Sequence, residues 1–246
     1  MKPIGRETNP GHPAMRGIFI TGTDTGVGKT HVGGAIAHLL TQRGLRVRTR
    51  KPVESGCPTG PEGLIPRDAS VLREAAGCVD TLEGICRHRF RAAVSPERAA
   101  SREGVDLGLA PLYDACIADL ADDDFLQVEG AGGFYSPLAT RALNVDLAGA
   151  LGLPVLLVAA DRLGTINHAL LTLEAIRTRG LALAGIVLNQ PLPDSDDEMD
   201  NAQDIERWSG QPVVRLPYRE LIGVPAWRAE APLLAPLVES WLSQLP

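Results

Sequence analysis

The strongest indication of the fold comes from Gly17-Ile-Phe-Ile-Thr-Gly-Thr-Asp-Thr-Gly-Val-Gly-Lys-Thr30. It opens with a short apolar run, which is typical of a strand buried on both faces. A glycine-rich segment follows, and then a stretch rich in alanine and leucine, so the order is strand, loop, helix. In this order the backbone N–H groups of the loop and the first turn of the helix converge on one point, where they can bind an anion.

Residues Gly22 to Thr30 match a variant of the P-loop pattern G-x-x-x-x-G-K-[ST]. The common pattern would place its first glycine where this chain has Thr23, with Gly22 one place earlier. Lys29 supplies a mobile positive charge for phosphates, and the Thr30 hydroxyl is a suitable ligand for magnesium. The loop therefore predicts binding of ATP with Mg²⁺ rather than a plain glycine-rich turn.

Along the rest of the chain, short apolar runs alternate with stretches of helical periodicity. We expect strands at 17–21, 46–50, 125–129, 154–160 and 183–189, with a shorter one at 212–216, and helices at 29–42, 107–120, 165–179 and 233–242. This alternation predicts the α/β class, in the three-layer P-loop NTPase fold with a mostly parallel central sheet and helices on both faces.

Composition limits the domain count and the kinds of partner. The chain has 246 residues, 44% of them hydrophobic, which is enough for one large core, so we expect a single catalytic domain at 17–246. Residues 1–16 contain prolines and glycines but no apolar block, and they predict a flexible N-terminal arm. The longest apolar run, 147–160, is shorter than the roughly 20 residues that a bilayer span needs. We therefore expect no membrane segment.

The charge and the cysteines favour a cytoplasmic enzyme of small molecules. A net charge of −6 argues against partners such as nucleic acid or an anionic membrane surface, which attract basic faces. Cys57, Cys78, Cys86 and Cys116 form no C-x-x-C pair, and Cys86 with His88 is an isolated combination. All four cysteines are expected to be free thiols that pack as small apolar residues.

A second motif, Lys51-Pro-Val-Glu-Ser-Gly56, follows the strand expected at 46–50. A lysine at the carboxyl end of a strand faces the crevice in which open α/β sheets bind ligands, so Lys51 could hold an anion. Taken alone, the motif leaves open that Lys51 is an ordinary surface charge.

A third motif, Val128-Glu-Gly-Ala-Gly-Gly133, places a carboxylate at the end of a buried strand and small residues after it. The glycines would let a ligand approach the backbone closely. A buried carboxylate needs a partner, and Mg²⁺ is a suitable one because it prefers carboxylate and phosphate oxygens. Asp68, in Pro66-Arg-Asp-Ala-Ser70, could be a second ligand of the same ion or a helix N-cap.

Taken together, these motifs resemble the dethiobiotin synthetase family. The resemblance also uses Ser95-Pro96 and Leu163-Gly-Thr-Ile-Asn-His-Ala-Leu-Leu-Thr172, and it covers 17–219. Members make dethiobiotin from 7,8-diaminononanoate, carbon dioxide and ATP. One amine captures carbon dioxide as a carbamate, and transfer of the γ-phosphoryl group of ATP turns the carbamate into a carbamic-phosphoric anhydride and releases ADP. The second amine then closes the ureido ring as phosphate leaves.

The resemblance implies a role for each matching residue. Lys29 and Lys51 would be catalytic and supply positive charge. Three residues would surround magnesium: Thr30, Asp68 and Glu129. ATP contacts are implied for Gly26, Val27, Gly28, Lys29, Thr30, His31, Asp68, Glu129, Gly130, Ala131 and Gly132, and, around the base, for Asn189, Gln190, Pro217, Tyr218 and Arg219.

The substrate side is also implied by the resemblance. Ser55 would hold the carbamate, and Thr25 would contact the substrate as well. Backbone N–H groups at the start of a helix could bind the substrate carboxylate, namely those of Gly164, Thr165, Ile166 and Asn167. In the family this helix end belongs to the neighbouring subunit, which implies a homodimer with its sites at the interface.

The chain departs from the family pattern at three positions. Gly26 replaces an acidic residue often seen in the loop, Glu97 follows Ser95-Pro96 where histidine is frequent, and Gln190 stands where aspartate often follows the asparagine. These departures concern details of nucleotide contact, whereas the lysines, the metal ligands and the glycines are intact.

Two other functions fit parts of the pattern. The first is an amidating enzyme on the same fold, such as a cobyrinate amidating synthetase, but no cysteine lies in the glycine-rich elbow that a glutaminase nucleophile needs. The second is a nucleotide-dependent switch, a class in which a second lysine stands five residues before the P-loop lysine. This chain has Asp24 there, which disfavours a switch.

His31 and His168 are expected to pack or cap rather than to act as bases.

Overall fold

The computed structural model of the chain describes residues 15–193 and 199–243. Most of the predicted arm therefore lies outside the described residues, as does most of the acidic stretch 194–200, which the sequence suggests is a loop entering a helix. Met15 packs against the core, and the Arg16 carbonyl accepts a hydrogen bond of 2.8 Å from the N–H of Leu126.

Strands and helices alternate along the described residues. The strands are β1 (Gly17–Gly22), β2 (Val47–Arg50), β3 (Val53–Ser55), β4 (Thr59–Gly60), β5 (Gly63–Leu64), β6 (His88–Phe90), β7 (Phe125–Gly133), β8 (Pro137–Ala139), β9 (Ala142–Leu143), β10 (Val155–Ala160), β11 (Leu183–Asn189) and β12 (Val213–Leu216). The helices are α1 (Lys29–Gln42), α2 (Arg67–Ala75), α3 (Leu82–Ile85), α4 (Pro96–Arg102), α5 (Leu109–Ile117), α6 (Asn144–Leu151), α7 (Thr165–Thr178), α8 (Asn201–Ser209) and α9 (Val224–Leu242).

The central sheet has six strands in the order β12-β11-β10-β1-β7-β2. Every neighbouring pair in it is parallel, so the carboxyl ends of all six strands lie at one edge. These are the six strands that the sequence predicts, and the α/β fold class is confirmed. The remaining strands form short pairs, of which β3 with β6 is parallel and extends the region after β2.

Side chains alternate between the two faces of the sheet, because successive residues of a strand point to opposite sides. In β1, Ile18 and Ile20 pack in a core formed with α1 and α9, whereas Phe19 packs in a second core with α5 and α6. A third core joins β10 and β11 to α7 and α8. Helices therefore cover both faces, and the predicted three-layer arrangement is confirmed.

Helix α9 begins at Val224, nine residues before the helix expected at 233–242, so this predicted boundary is wrong. Pro232 and Pro236 lie inside the helix, and proline normally disfavours a helix interior. Trp227 and Trp241 are buried against α1 and the sheet. Apolar burial along one face of α9 therefore outweighs the local preference of the prolines.

Three of the four free cysteines are buried, as expected, but Cys78 is exposed. It follows Gly77 in a turn after α2, and both residues have positive φ values, 73° for Gly77 and 61° for Cys78. None of the helices among the described residues is long and apolar enough to cross a membrane.

Candidate active site

The P-loop connects the carboxyl end of β1 to the first turn of α1. Gly26 and Gly28 have φ values of 75° and 95°, in the left-handed region that glycine adopts without strain. Gly28 is constrained a second time, because a Cβ atom there would lie 2.2 Å from Nδ2 of Asn189. That amide group donates a hydrogen bond of 3.0 Å to the carbonyl of Val27, so the end of β11 is attached to the loop.

Lys29 is nearly buried, with 6% of its surface exposed, and its Nζ donates to the carbonyl of Asp24 at 2.9 Å. Burial, followed by the positive charge of Lys51, lowers the pKa of Lys29 to about 8. The ammonium form therefore still dominates at pH 7. It is poorly solvated there, which makes it a strong partner for phosphate oxygens.

Thr30 and Glu129 meet although they come from α1 and β7. The Thr30 hydroxyl donates to Oε1 of Glu129 at 2.9 Å, and Glu129 is 1% exposed. The other carboxylate oxygen, Oε2, is buried and has no hydrogen-bond partner among the described residues. A buried carboxylate oxygen without a partner, beside a threonine hydroxyl, fits the oxygen ligands that Mg²⁺ prefers.

Lys51 lies between two carboxylates at the carboxyl end of β2. Its Nζ is 2.6 Å from Oε1 of Glu129, 2.9 Å from Oδ2 of Asp68 and 3.1 Å from the carbonyl of Gly130. Only 3% of its surface is exposed, so the alternative of an ordinary surface lysine is wrong. Burial alone would lower the pKa of Lys51, but Glu129 and Asp68 outweigh burial and raise it, so the ammonium form persists.

Asp68 lies in the first turn of α2 and points toward Lys51. The N-cap position of this helix is Pro66, so the alternative interpretation of Asp68 as the N-cap is wrong. Burial would raise the pKa of the Asp68 carboxyl, but the ion pair with Lys51 outweighs burial and lowers it. The structure thus brings Lys29, Lys51, Asp68, Glu129 and Thr30 to one place.

Glu54 supplies the cap that α2 lacks. Its Oε1 accepts from the N–H of Asp68 at 3.1 Å, and its Oε2 accepts from the N–H of Ala69 at 3.2 Å. Burial and, next, the charge of Asp68 raise the pKa of the Glu54 carboxyl. Glu54 was not among the residues predicted from the sequence, although it lies within the Lys51 motif.

Asn144, at the start of α6, fixes the glycine-rich end of β7. This fully buried side chain accepts from the N–H of Ala131 at 2.9 Å and donates to the carbonyls of Ala131 at 2.7 Å and Gly133 at 3.0 Å. A Cβ atom on Gly130 would lie 2.5 Å from Oδ1 of Asn144, which explains a glycine there. Asn144 was also missed, because a single asparagine after a short apolar run carries no distinctive signal.

The predicted substrate residues lie at the same edge of the sheet. The Ser55 hydroxyl donates to the Val94 carbonyl at 2.6 Å, and the N–H of Thr25 binds Oδ1 of Asp24 at 2.7 Å. At the start of α7, Thr165 is buried and its Oγ1 has no hydrogen-bond partner among the described residues. The other residues of this group are Gly164, the N-cap of α7 with a φ of 89°, the half-buried Ile166 and the exposed Asn167.

The residues predicted to surround the base of ATP lie at the ends of β11 and β12 or just after them. Gln190 accepts from the N–H of Tyr218 at 3.4 Å, and the N–H of Gln190 donates to the carbonyl of Leu216 at 2.9 Å. Pro217 and Arg219 are exposed. The two strand ends are thus joined beside the P-loop.

A cavity of about 570 Å³ opens beside Thr30 and Asp68. The segment 222–225 and Trp227 also line this cavity, and they were not among the residues predicted from the sequence. His31 also lines it, with Nε2 2.7 Å from Oε1 of Glu230, a pairing consistent with the expected packing role. Ile222 is an exposed apolar residue. This exposure is known only from the structure, so the sequence gives no indication that the segment lines a cavity.

Comparison with known proteins identifies the family. A family model described as an AAA domain matches residues 16–226. ATP-dependent dethiobiotin synthetase BioD of Anaeromyxobacter dehalogenans (strain 2CP-C) is 47% identical over 206 residues, which are 83% of this chain and 91% of that protein. A protein of the same name from Rhodopirellula baltica is 40% identical over 210 residues, or 80% of this chain and 81% of that one.

Among solved structures, a ParA family ATPase from Chlorobium tepidum TLS superposes with a TM-score of 0.52 at 15% identity, covering 93% of this chain and 98% of that one. This likeness shows the fold alone. The sequence matches extend over most of the chain and agree with the motifs on which the resemblance rests. The chain belongs to the family of ATP-dependent dethiobiotin synthetases.

Proposed function

We propose that this chain converts 7,8-diaminononanoate, carbon dioxide and ATP into dethiobiotin, ADP and phosphate. The observation that carries the proposal is the position of Lys51, whose ammonium group is buried between Asp68 and Glu129 next to the P-loop. In the switch class the second lysine stands within the P-loop, where this chain has Asp24, whereas Lys51 follows β2. The named activity of the relatives supports the same conclusion.

The two lysines would act by electrostatic stabilisation. Phosphoryl transfer to a carbamate brings two anions together, so positive charge must be fixed before the reaction begins. Lys29 would hold the phosphates of ATP, and Lys51 would hold the carbamate, with the Ser55 hydroxyl beside it. Both ammonium groups are nearly buried, which strengthens their attraction to an anion relative to water.

Thr30, Asp68 and Glu129 would hold Mg²⁺, which neutralises phosphate charge when it is bound. The unpartnered Oε2 of Glu129 supports this assignment. The Asp68 and Glu129 carboxylates could not then be fully engaged with Lys51, whose Nζ would be free to turn toward the carbamate oxygens.

The remaining assignments also belong to this proposal. The P-loop residues 26–31 and the glycine-rich residues 130–132 would surround the phosphates, and the residues at 189–190 and 217–219 would surround the base. Thr25 would contact the substrate. The start of α7, 164–167, would reach the substrate of a partner subunit in a homodimer, which the exposure of Leu163 (87%) and Leu171 (63%) supports. The free cysteines support a cytoplasmic location.

The test is the dependence of ATP consumption on the diamine. Purified protein would be mixed with ATP, bicarbonate and Mg²⁺, with and without 7,8-diaminononanoate, and ADP and the mass of the organic product would be followed. The expected result is ADP formation only with the diamine, and a product heavier by one carbonyl less two hydrogens. ADP release that is indifferent to the diamine would refute the proposal and favour a switch.

A further inference from the structure

Both carboxylate oxygens of Glu54 accept hydrogen bonds from the backbone of the first turn of α2. The two oxygens accept from the N–H groups of Asp68 and Ala69 at 3.1 Å and 3.2 Å. The first N–H groups of a helix have no partner within the helix, and the usual remedy is a side chain at the N-cap. Here the N-cap is Pro66, whose side chain cannot accept a hydrogen bond, so Glu54 satisfies these groups from another part of the chain.

The backbone of Glu54 is itself held firmly. It belongs to β3, which pairs with β6 so that Glu54 stands opposite Arg89. The N–H of Cys57 continues this attachment by donating to the carbonyl of Phe90 at 3.0 Å. The carboxylate of Glu54 is buried, so its contact with α2 is not exchanged freely with water.

Asp68 makes two contacts, an ion pair with Lys51 and a hydrogen bond to Glu54, and only the ion pair uses its side chain. The ion pair with Lys51 uses the Asp68 carboxylate, the same group that would bind magnesium. The hydrogen bond to Glu54 is donated by the backbone N–H of Asp68 and leaves the Asp68 carboxylate unused. The first contact competes with a metal ion, whereas the second can persist when the ion is bound.

We propose that Glu54 is a positioning residue, which fixes the first turn of α2 so that the Asp68 carboxylate keeps its direction toward the metal ion. The inference rests on the magnesium site of the proposed function. Glu54 does not contact the ion or the substrate in this role. Groups that orient a metal ligand commonly contribute on the order of 10- to 100-fold to metal affinity, and this is the effect expected of Glu54.

The test measures binding of Mn²⁺, as a paramagnetic substitute for Mg²⁺, to the protein with a non-hydrolysable ATP analogue. The free ion is followed by electron paramagnetic resonance. Glu54→Ala should weaken Mn²⁺ binding by about 10-fold or more. Affinity for the same analogue in the presence of EDTA should stay within about twofold, because the phosphate-binding loop is untouched.

The matched control is Asp200→Ala. Asp200 caps α8 by accepting from the N–H of Gln203 at 3.3 Å, far along the chain from the metal ligands. Loss of this cap should lower the thermal stability but leave Mn²⁺ affinity unchanged. The comparison separates a general loss of helix stability from a specific loss of metal binding.

The inference is overturned if Glu54→Ala folds and binds Mn²⁺ within twofold of the unaltered protein, or if nucleotide affinity without metal falls equally. Should Glu54→Ala not fold, Glu54→Gln decides, because it fills the same space but keeps only one acceptor oxygen. A loss of Mn²⁺ affinity greater than twofold in that variant supports the inference, and a smaller change overturns it. If the unaltered protein with nucleotide binds no Mn²⁺, the magnesium site of the proposed function fails, and the inference fails with it.

Discussion

Replacing Lys51 by methionine removes the ammonium group and keeps most of the side-chain volume. In the structure this leaves the Asp68 and Glu129 carboxylates without their shared partner, and Glu129 is almost fully buried. Removing one member of a buried ion pair costs about 3–5 kcal/mol. We expect the lower end, about 3 kcal/mol, because the Asp68 side chain is 39% exposed and can be partly solvated.

For a protein of this size, 1 kcal/mol corresponds to roughly 2–4 °C in melting temperature, so the expected decrease is about 6–12 °C. Calorimetry in EDTA would measure it. Mg²⁺ with ADP should restore part of the loss, because the ion would neutralise the two carboxylates that Lys51 leaves behind. Turnover should fall by about a hundredfold or more, since one group that stabilises the transition-state charge is missing.

The matched control is Arg215→Met, which removes an exposed ion pair with Asp200. Exposed pairs contribute roughly 0–1 kcal/mol, so its melting temperature should change little and its turnover should be normal. If Lys51→Met melts within about 2 °C of the unaltered protein and keeps near-normal turnover, Lys51 has neither the stabilising nor the catalytic role proposed for it.

The other predictions concern the phosphate and metal ligands and the loop beside them. Glu129→Gln should raise the magnesium concentration needed for half-maximal turnover, and an unchanged requirement would make Glu129 a structural residue. Lys29→Ala should cut turnover about a hundredfold, which steady-state kinetics would measure; a near-normal rate would contradict its phosphate-binding role. Because the pKa of Lys29 is lowered to about 8, its ammonium form is lost above that pH in the free protein. Affinity for metal-free ATP should therefore fall as the pH rises through 8, and titration calorimetry should find a smaller pH dependence in Lys29→Met. Asn144→Ala should lower the free energy of unfolding by about 1–3 kcal/mol in urea titrations, because it leaves backbone groups of the buried loop unsatisfied, and a loss below about 0.5 kcal/mol would contradict this account.

The fold class and the family were predictable because their signals are local. A P-loop is one continuous segment, and its order of strand, loop and helix already specifies how the backbone N–H groups converge. The six central strands are likewise marked by short apolar runs, and the structure has all six. The roles of the individual site residues stay predictions, although Lys29, Thr30, Lys51, Asp68 and Glu129 do lie together.

The contacts between distant segments depend on tertiary packing. Lys51 and Glu129 are 78 positions apart in the chain, and their 2.6 Å contact depends on β2 pairing with β7, which no local pattern specifies. The cap that Glu54 provides to α2 depends in the same way on a contact across 14 positions. Packing can also outweigh a local preference. In α9 the prolines disfavour a helix, but the burial of its tryptophans against α1 and the sheet stabilises one. The chemical groups and the predicted phosphate-binding segment can therefore be read from the sequence. Which of those groups form ion pairs and caps depends on packing, because these interactions are set by distances in space rather than along the chain.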